Sequence, residues 1–113
     1  MSGITTHVLD TTSGKPARGL HVTLALRDAQ DAFRTLAERT TDEQGRIKDF
    51  LAPGALAPGT YRLSFDTGAY LTAQHGAAFY PLVELTFQIV EAGEHYHVPL
   101  LLSPYGYSTY RGS

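Results

Sequence analysis

Residues 95–113 read His95-Tyr96-His97-Val98-Pro99-Leu100-Leu101-Leu102-Ser103-Pro104-Tyr105-Gly106-Tyr107-Ser108-Thr109-Tyr110-Arg111-Gly112-Ser113. Two apolar and aromatic runs flank Ser103-Pro104, a turn dipeptide, and this pattern predicts a β-hairpin. Strand side chains alternate between faces. His95, His97, Pro99 and Leu101 therefore share one face, while Tyr96, Val98, Leu100 and Leu102 form a wholly apolar and aromatic face that suits the core. A turn centred on Ser103-Pro104 or on Pro104-Tyr105 returns Gly106, Ser108 and Tyr110 to the face of His97. Pro104 suits the second position of a type I turn better than the interior of a two-residue primed turn. One face of the hairpin thus gathers a histidine, a hydroxyl, a phenol and the chain end.

Working outward, the other strands follow the same alternation. Leu20, Val22, Leu24 and Leu26 line one face of a strand ending at Arg27, and Tyr61, Leu63 and Phe65 line another. Val83, Leu85, Phe87 and Ile89 make a third. Ile4 to Asp10 predicts a first strand with Thr5, His7 and Leu9 on one face and Ile4, Thr6, Val8 and Asp10 on the other. Phe33, Leu36 and Ala37 also fit a helical spacing, but the segment Phe33 to Thr40 is short and Thr-flanked, which favours a strand. Thr41 to Gly45 reads as a tight turn into a short strand from Arg46 to Phe50, and Leu51 to Gly59 as a loop holding Pro53, Gly54, Pro58 and Gly59. Gly68 to Gly76 is the one segment expected to form a short helix. About eight short strands separated by turn signals predict a β-sandwich or small barrel.

The chain has 113 residues, of which 42% are hydrophobic, enough for one core, so one domain over 1–113 is expected. Its net charge is −2 and no basic run occurs, which disfavours nucleic acid and anionic membrane surfaces as partners. It has no cysteine, hence neither disulfides nor thiol chemistry. The opening MSGITTHVLD lacks a basic segment followed by an apolar one, and no apolar run approaches the ~20 residues of a membrane span, so a cytoplasmic protein is expected.

Individually, the polar residues have ordinary explanations. His95 and His97 sit on one strand face at a spacing that suits two ligands of a zinc ion, but such a site needs about four. The remaining ligands would have to come from His7, His21, His75 or a carboxylate. Solvated strand histidines are commoner, and general acid–base work is the third possibility, since the imidazole titrates near neutrality. His7 stands alone in its strand. Arg46 follows Gly45 in a turn, where a solvated arginine is the usual finding. Tyr105, Tyr107 and Tyr110 suit a core or an interface. No phosphate-binding glycine loop and no GxSxG elbow is present.

Together these residues say more. His7-Val8-Leu9-Asp10, followed by Gly14 and Pro16-Ala17, resembles the N-terminal signature of the transthyretin family. Tyr96 to Ser108 (YHVPLLLSPYGYS) resembles its C-terminal signature, and Thr41 to Ile47 with Gly45-Arg46, then Tyr61-Arg62-Leu63, fall between them in the same order. The resemblance covers essentially the whole chain. It implies an all-β, transthyretin-like sandwich of two four-stranded antiparallel sheets with one short helix. It also implies a homotetramer, a dimer of dimers with sites at the dimer–dimer interface.

The family has two branches, thyroid-hormone carriers and hydrolases of 5-hydroxyisourate in urate degradation. The hydrolases are marked by a C-terminal Tyr-Arg-Gly-Ser, two histidines and an arginine. Tyr110-Arg111-Gly112-Ser113 matches that end, and His7, Arg46 and His97 fall at the remaining positions. The resemblance therefore implies catalytic roles for His7, Arg46 and His97, and substrate binding by Tyr110, Arg111, Gly112 and Ser113. It implies no metal and no organic cofactor. One histidine would activate water and the other would orient it or serve as acid, an assignment the sequence leaves open. Glu43-Gln44 departs from the family pattern, in which an Asp more often precedes the glycine. The competing readings are a carrier of a small aromatic ligand and a metal site on His95 and His97.

Overall fold

The computed structural model describes residues 3–112. The elements in chain order are β1 (Gly3–Asp10), β2 (Lys15–Pro16), β3 (His21–Arg27), β4 (Phe33–Thr40), β5 (Arg46–Ile47), β6 (Gly59–Phe65), α1 (Thr67–His75), β7 (Val83–Ile89), β8 (His95–Ser103) and β9 (Gly106–Thr109). One sheet runs β4-β3-β6-β7, antiparallel throughout. The other runs β2-β1-β8-β9, and β5 joins it on β1 beside β2. The two sheets pack face to face, and the expected sandwich is present. It differs from four-plus-four antiparallel sheets in two details. β5 makes the second sheet five-stranded, and β1 pairs with β8 in parallel. Parallel neighbours need a long crossover connection, and the chain between β1 and β8 supplies one.

The alternation of side chains decides which residues meet. Ile4, Val8, Tyr96, Val98, Leu100 and Leu102 turn inward from one sheet, and Val22, Leu24, Tyr61, Leu63 and Phe65 from the other, all buried in one cluster. A register shift between Leu24 and Ala25 breaks the alternation in β3, so that Ala25 is buried as well. Phe33 to Thr40 is a strand, as its length suggested. Its Phe33 ring carries the Arg62 guanidinium 4.3 Å from its centroid. The closing hairpin turns through Pro104 and Tyr105, with Ser103 paired to Gly106. Ser108 pairs with Leu101, which puts Gly106 and Ser108 on the face of His97 as the alternation required. Among the described residues no helix is long and apolar enough to cross a membrane.

The single helix lies over the end of β1. Leu71 is buried, and Gly76 closes the helix in the left-handed conformation with its N–H on the Thr72 carbonyl. Asp10 ends β1 on the core face with 1% of its surface exposed. Its Oδ2 accepts hydrogen bonds from His75 Nε2 at 2.6 Å and the Tyr70 hydroxyl at 2.9 Å. Its Oδ1 accepts from the backbone N–H of Thr12 at 3.0 Å and of Ser13 at 3.3 Å. Burial by itself would raise the Asp10 pKa. The hydrogen bonds from His75, Tyr70 and Ser13, with the charge of His75, outweigh it and hold the carboxyl below its ordinary 3.8. Burial and the bond to Asp10 push the Tyr70 phenol up to about 12.

Because the folded Asp10 carboxyl is the stronger acid, its stabilising contribution is complete above the ordinary value and fades as pH falls through the lower folded value. Tyr70→Phe removes one of its four donors and should destabilise the fold by about 1.5–3 kcal/mol at neutral pH, the usual range for a hydrogen bond to a charged group. Urea unfolding checks this, and an unchanged midpoint would show that the bond contributes nothing.

Candidate active site

The outer face of the five-stranded sheet collects the polar residues. The parallel register pairs Gly3 with His95, Thr5 with His97 and His7 with Pro99. On the other edge of β1, His7 pairs with Arg46. His7, Arg46 and His97 are therefore neighbours on one face, brought from β1, β5 and β8. An open cleft of ≈ 590 Å³ lies over this face, bordered by Thr5, Arg46, Lys48, Leu51, His95 and His97 among others.

His95 and His97 are held through a shared hydroxyl, and Arg46 is placed through its backbone. His97 is half-buried. Its Nδ1 lies 2.7 Å from the Thr5 hydroxyl, and the same hydroxyl lies 3.0 Å from His95 Nε2. The two imidazoles are near parallel, 6.5 Å apart with 14° between their planes. Gly112 covers one edge of the His97 ring and donates its N–H to the His97 carbonyl at 2.8 Å. A Cβ on Gly112 would stand 2.6 Å from His97 Cδ2, so the glycine is required by the ring it covers. Burial lowers the His97 pKa from its ordinary 6.5, and the positive charges of His7, His95 and Arg46 act in the same direction. His97 is consequently neutral at neutral pH and able to accept a proton.

Arg46 is placed by its turn. Asp42 Oδ1 accepts from the backbone N–H of Gln44 at 2.8 Å and of Arg46 at 2.9 Å. The Arg46 N–H is the main reason the Asp42 carboxyl sits below its ordinary 3.8. This carboxylate closes the turn, so the Glu43-Gln44 departure leaves the position of Arg46 intact. Gly45 has φ +74°, donates its N–H to the Asp42 carbonyl and accepts the Val8 N–H at 2.8 Å. A Cβ there would lie 2.5 Å from the Val8 carbonyl oxygen. Only a glycine lets the turn approach β1 this closely with that backbone conformation.

Tyr110 and Arg111, expected at the same site, lie on another groove. The strand ends at Thr109, and Tyr110 leaves the His97 face to line a separate groove of ≈ 320 Å³ with Leu85, Phe87, Tyr96 and Val98. Arg111 borders the same groove, its guanidinium 4.5 Å from the centroid of the Tyr96 ring and its Nη2 donating to Glu94 Oε1 at 3.2 Å. Pairing resumes at Gly112, opposite His97. Ser113 lies outside the described residues. Among the described residues no group of three or more His, Asp or Glu side chains is arranged to hold a metal ion, and His95 and His97 share a hydroxyl instead. Thr5 is the residue that sequence reasoning passed over. Its place two residues before His7 marks it as a face neighbour, but its contact with His97 depends on the parallel register.

The architecture and this face define a transthyretin-type sandwich bearing imidazoles and a guanidinium on an open sheet surface. The chain belongs to the HIUase/Transthyretin family, whose model matches residues 4–112. It is 46% identical over 113 residues to a mouse (Mus musculus) protein named 5-hydroxyisourate hydrolase, covering 99% of this chain and 96% of the relative. The structure of Klebsiella pneumoniae 5-hydroxyisourate hydrolase superposes with a TM-score of 0.85 at 39% identity, covering 100% of each chain. Sea bream transthyretin in complex with thyroxine superposes with a TM-score of 0.92 at 31% identity, covering 96% of this chain and 93% of that one.

Gly45→Ala should destabilise the protein by more than about 1 kcal/mol, because the new side chain meets both an unfavourable φ and the Val8 carbonyl. Chemical denaturation checks this. A variant as stable as the parent would mean that the turn does not need the close approach.

Proposed function

We infer that the chain hydrolyses the cyclic amide of 5-hydroxyisourate to 2-oxo-4-hydroxy-4-carboxy-5-ureidoimidazoline, a step in urate degradation. The observation that carries this reading is the meeting of His7, Arg46 and His97 on one open sheet face. Relatives bearing the hydrolase name support it at 46% identity over nearly the whole chain. Fold likeness alone does not choose, since the same architecture serves a thyroxine-bound transthyretin.

In this mechanism neutral His97 accepts a proton from water at its Nε2, and the water oxygen adds to the ring carbonyl. The carbonyl oxygen gains the displaced electron pair and is stabilised by the Arg46 guanidinium, whose charge is fixed and whose donors form a planar fork. The tetrahedral carbon then expels the ring nitrogen, which takes a proton from an imidazolium, and the amide bond breaks. His7, on the same face, orients the water or supplies that proton. The chemistry assigned to these side chains requires no metal and no organic cofactor.

The sheet face is shallow, and a small planar substrate needs walls on more than one side. We assign the missing wall to a second copy of the chain, in a homotetramer built as a dimer of dimers with the site at the dimer–dimer interface. We assign substrate binding in that assembly to Tyr110, Arg111, Gly112 and Ser113, with Gly112 acting beside His97, and with Tyr110, which lies off the His97 face in the single chain, acting by stacking and by its hydroxyl.

The test generates 5-hydroxyisourate in situ from urate with urate oxidase and follows its ultraviolet absorbance. The chain should accelerate the decay with or without a chelator. His97→Ala and Arg46→Ala should each lower turnover by about a hundredfold or more while leaving the oligomer unchanged. Decay at the spontaneous rate from folded protein would contradict the enzyme reading and favour a carrier of a small aromatic ligand, while normal turnover in either variant would contradict the site.

A further inference from the structure

The Thr5 hydroxyl touches two imidazoles, His97 at Nδ1 and His95 at Nε2. A hydroxyl carries one proton and can donate only once, although it can accept twice. At most one of the two ring nitrogens can therefore be an acceptor of that proton, and the other nitrogen must carry its own and donate it to Oγ1. Three arrangements of the neutral rings satisfy this. In the first, Thr5 donates to His97 Nδ1, the His97 proton sits on Nε2, and His95 donates from Nε2. In the second, Thr5 donates to His95 Nε2, His97 donates from Nδ1, and the His97 Nε2 lone pair is free. In the third, both nitrogens donate to Oγ1 and the His97 Nε2 lone pair is again free; only the combination in which both nitrogens accept from the hydroxyl is excluded.

We propose that Thr5 and His95 are positioning residues for His97, the shared hydroxyl holding its proton on Nδ1 and leaving Nε2 free to take a proton from water. This rests on the catalytic reading of His97 given above. Among the described residues none makes a hydrogen bond to His97 Nε2, so that nitrogen is available to the cleft. The second arrangement also suits the step itself. When Nε2 takes up a proton, His97 becomes an imidazolium that still donates from Nδ1 to Oγ1, and the hydroxyl still donates to His95. No group has to turn, which is the preorganisation that favours a proton transfer. In the first arrangement Nε2 already bears a proton and cannot act as base.

His95 is exposed at the start of β8. The charged and titratable groups around this unit are His7 on β1, Arg46 on β5 and Lys48 beyond it, with His95 itself on β8.

The experiment compares Thr5→Val, Thr5→Ser, His95→Phe and His97→Ala in the decay assay, with ¹⁵N spectra of the imidazoles in the free protein at neutral pH. Valine keeps the β-branched shape and removes the hydroxyl, whereas serine keeps the hydroxyl. T5V and H95F should lower kcat about tenfold with KM within about twofold, and T5S should restore most of kcat. The spectra should show His97 protonated on Nδ1 in the parent and shifted toward Nε2–H in T5V. Parental kcat in T5V beside an inactive H97A would overturn the inference alone, as would failure of T5S to restore activity or a parent His97 protonated on Nε2. An active H97A would overturn the reading on which the inference rests.

Discussion

Strand β1 is paired along both of its edges, and the placement of the polar face depends on that double pairing. β8 lies beside it in parallel, which sets Thr5 next to His97. β5 lies on the other edge, which sets Arg46 next to His7. A shift of either neighbour by one residue would send every side chain of that neighbour to the opposite face and bury the imidazoles or the guanidinium in the core. The devices that guard the two registers are local. Gly45 brings the β5 turn against the Val8 carbonyl, and Thr6 donates from its hydroxyl to the Val98 carbonyl at 2.6 Å.

Charge is distributed between two ends of β1 with opposite logic. At the core end, Asp10 is buried and ionised because four donors from two directions surround it, and helix α1 is tied down as a result. At the outer face, His97 is partly buried among groups of its own sign and stays neutral. The first arrangement stabilises a charge for the sake of the fold. The second keeps a lone pair available near pH 7, which favours chemistry at some expense in stability as His97 protonates on acidification.

Most of the strands could be read from alternation, which Tyr61 to Phe65 keep throughout, Leu20 to Leu24 keep up to the register shift at Ala25, and Tyr96 to Leu102 keep apart from a buried Pro99. The ambiguous Phe33 to Thr40 resolved as a strand by its length, and the helix fell where Gly68 to Gly76 suggested. What alternation cannot show is which strands become neighbours. The parallel union of β1 and β8 joins residues some ninety positions apart, and with it came the contact of Thr5 with both histidines. Tyr110 was misplaced by parity for a related reason, because parity holds only while the chain stays in the ladder and β9 ends at Thr109. Alternation groups Asp10 with Ile4, Thr6 and Val8, the face that is buried, but its buried charge is made tolerable in part by Tyr70 and His75 on a helix that the strand pattern does not describe.

The proposed hydrolysis depends on the neutral form of His97. The most direct measurement is the pH dependence of kcat/KM for hydrolysis of 5-hydroxyisourate, set beside the titration of His97 followed by NMR in the same free protein. A depressed pKa keeps the base form present as pH falls through 6.5, so activity should persist there and be lost only lower, with a midpoint that coincides with the His97 titration. An acid limb that lies above 6.5, or one that does not follow His97, would contradict the assignment.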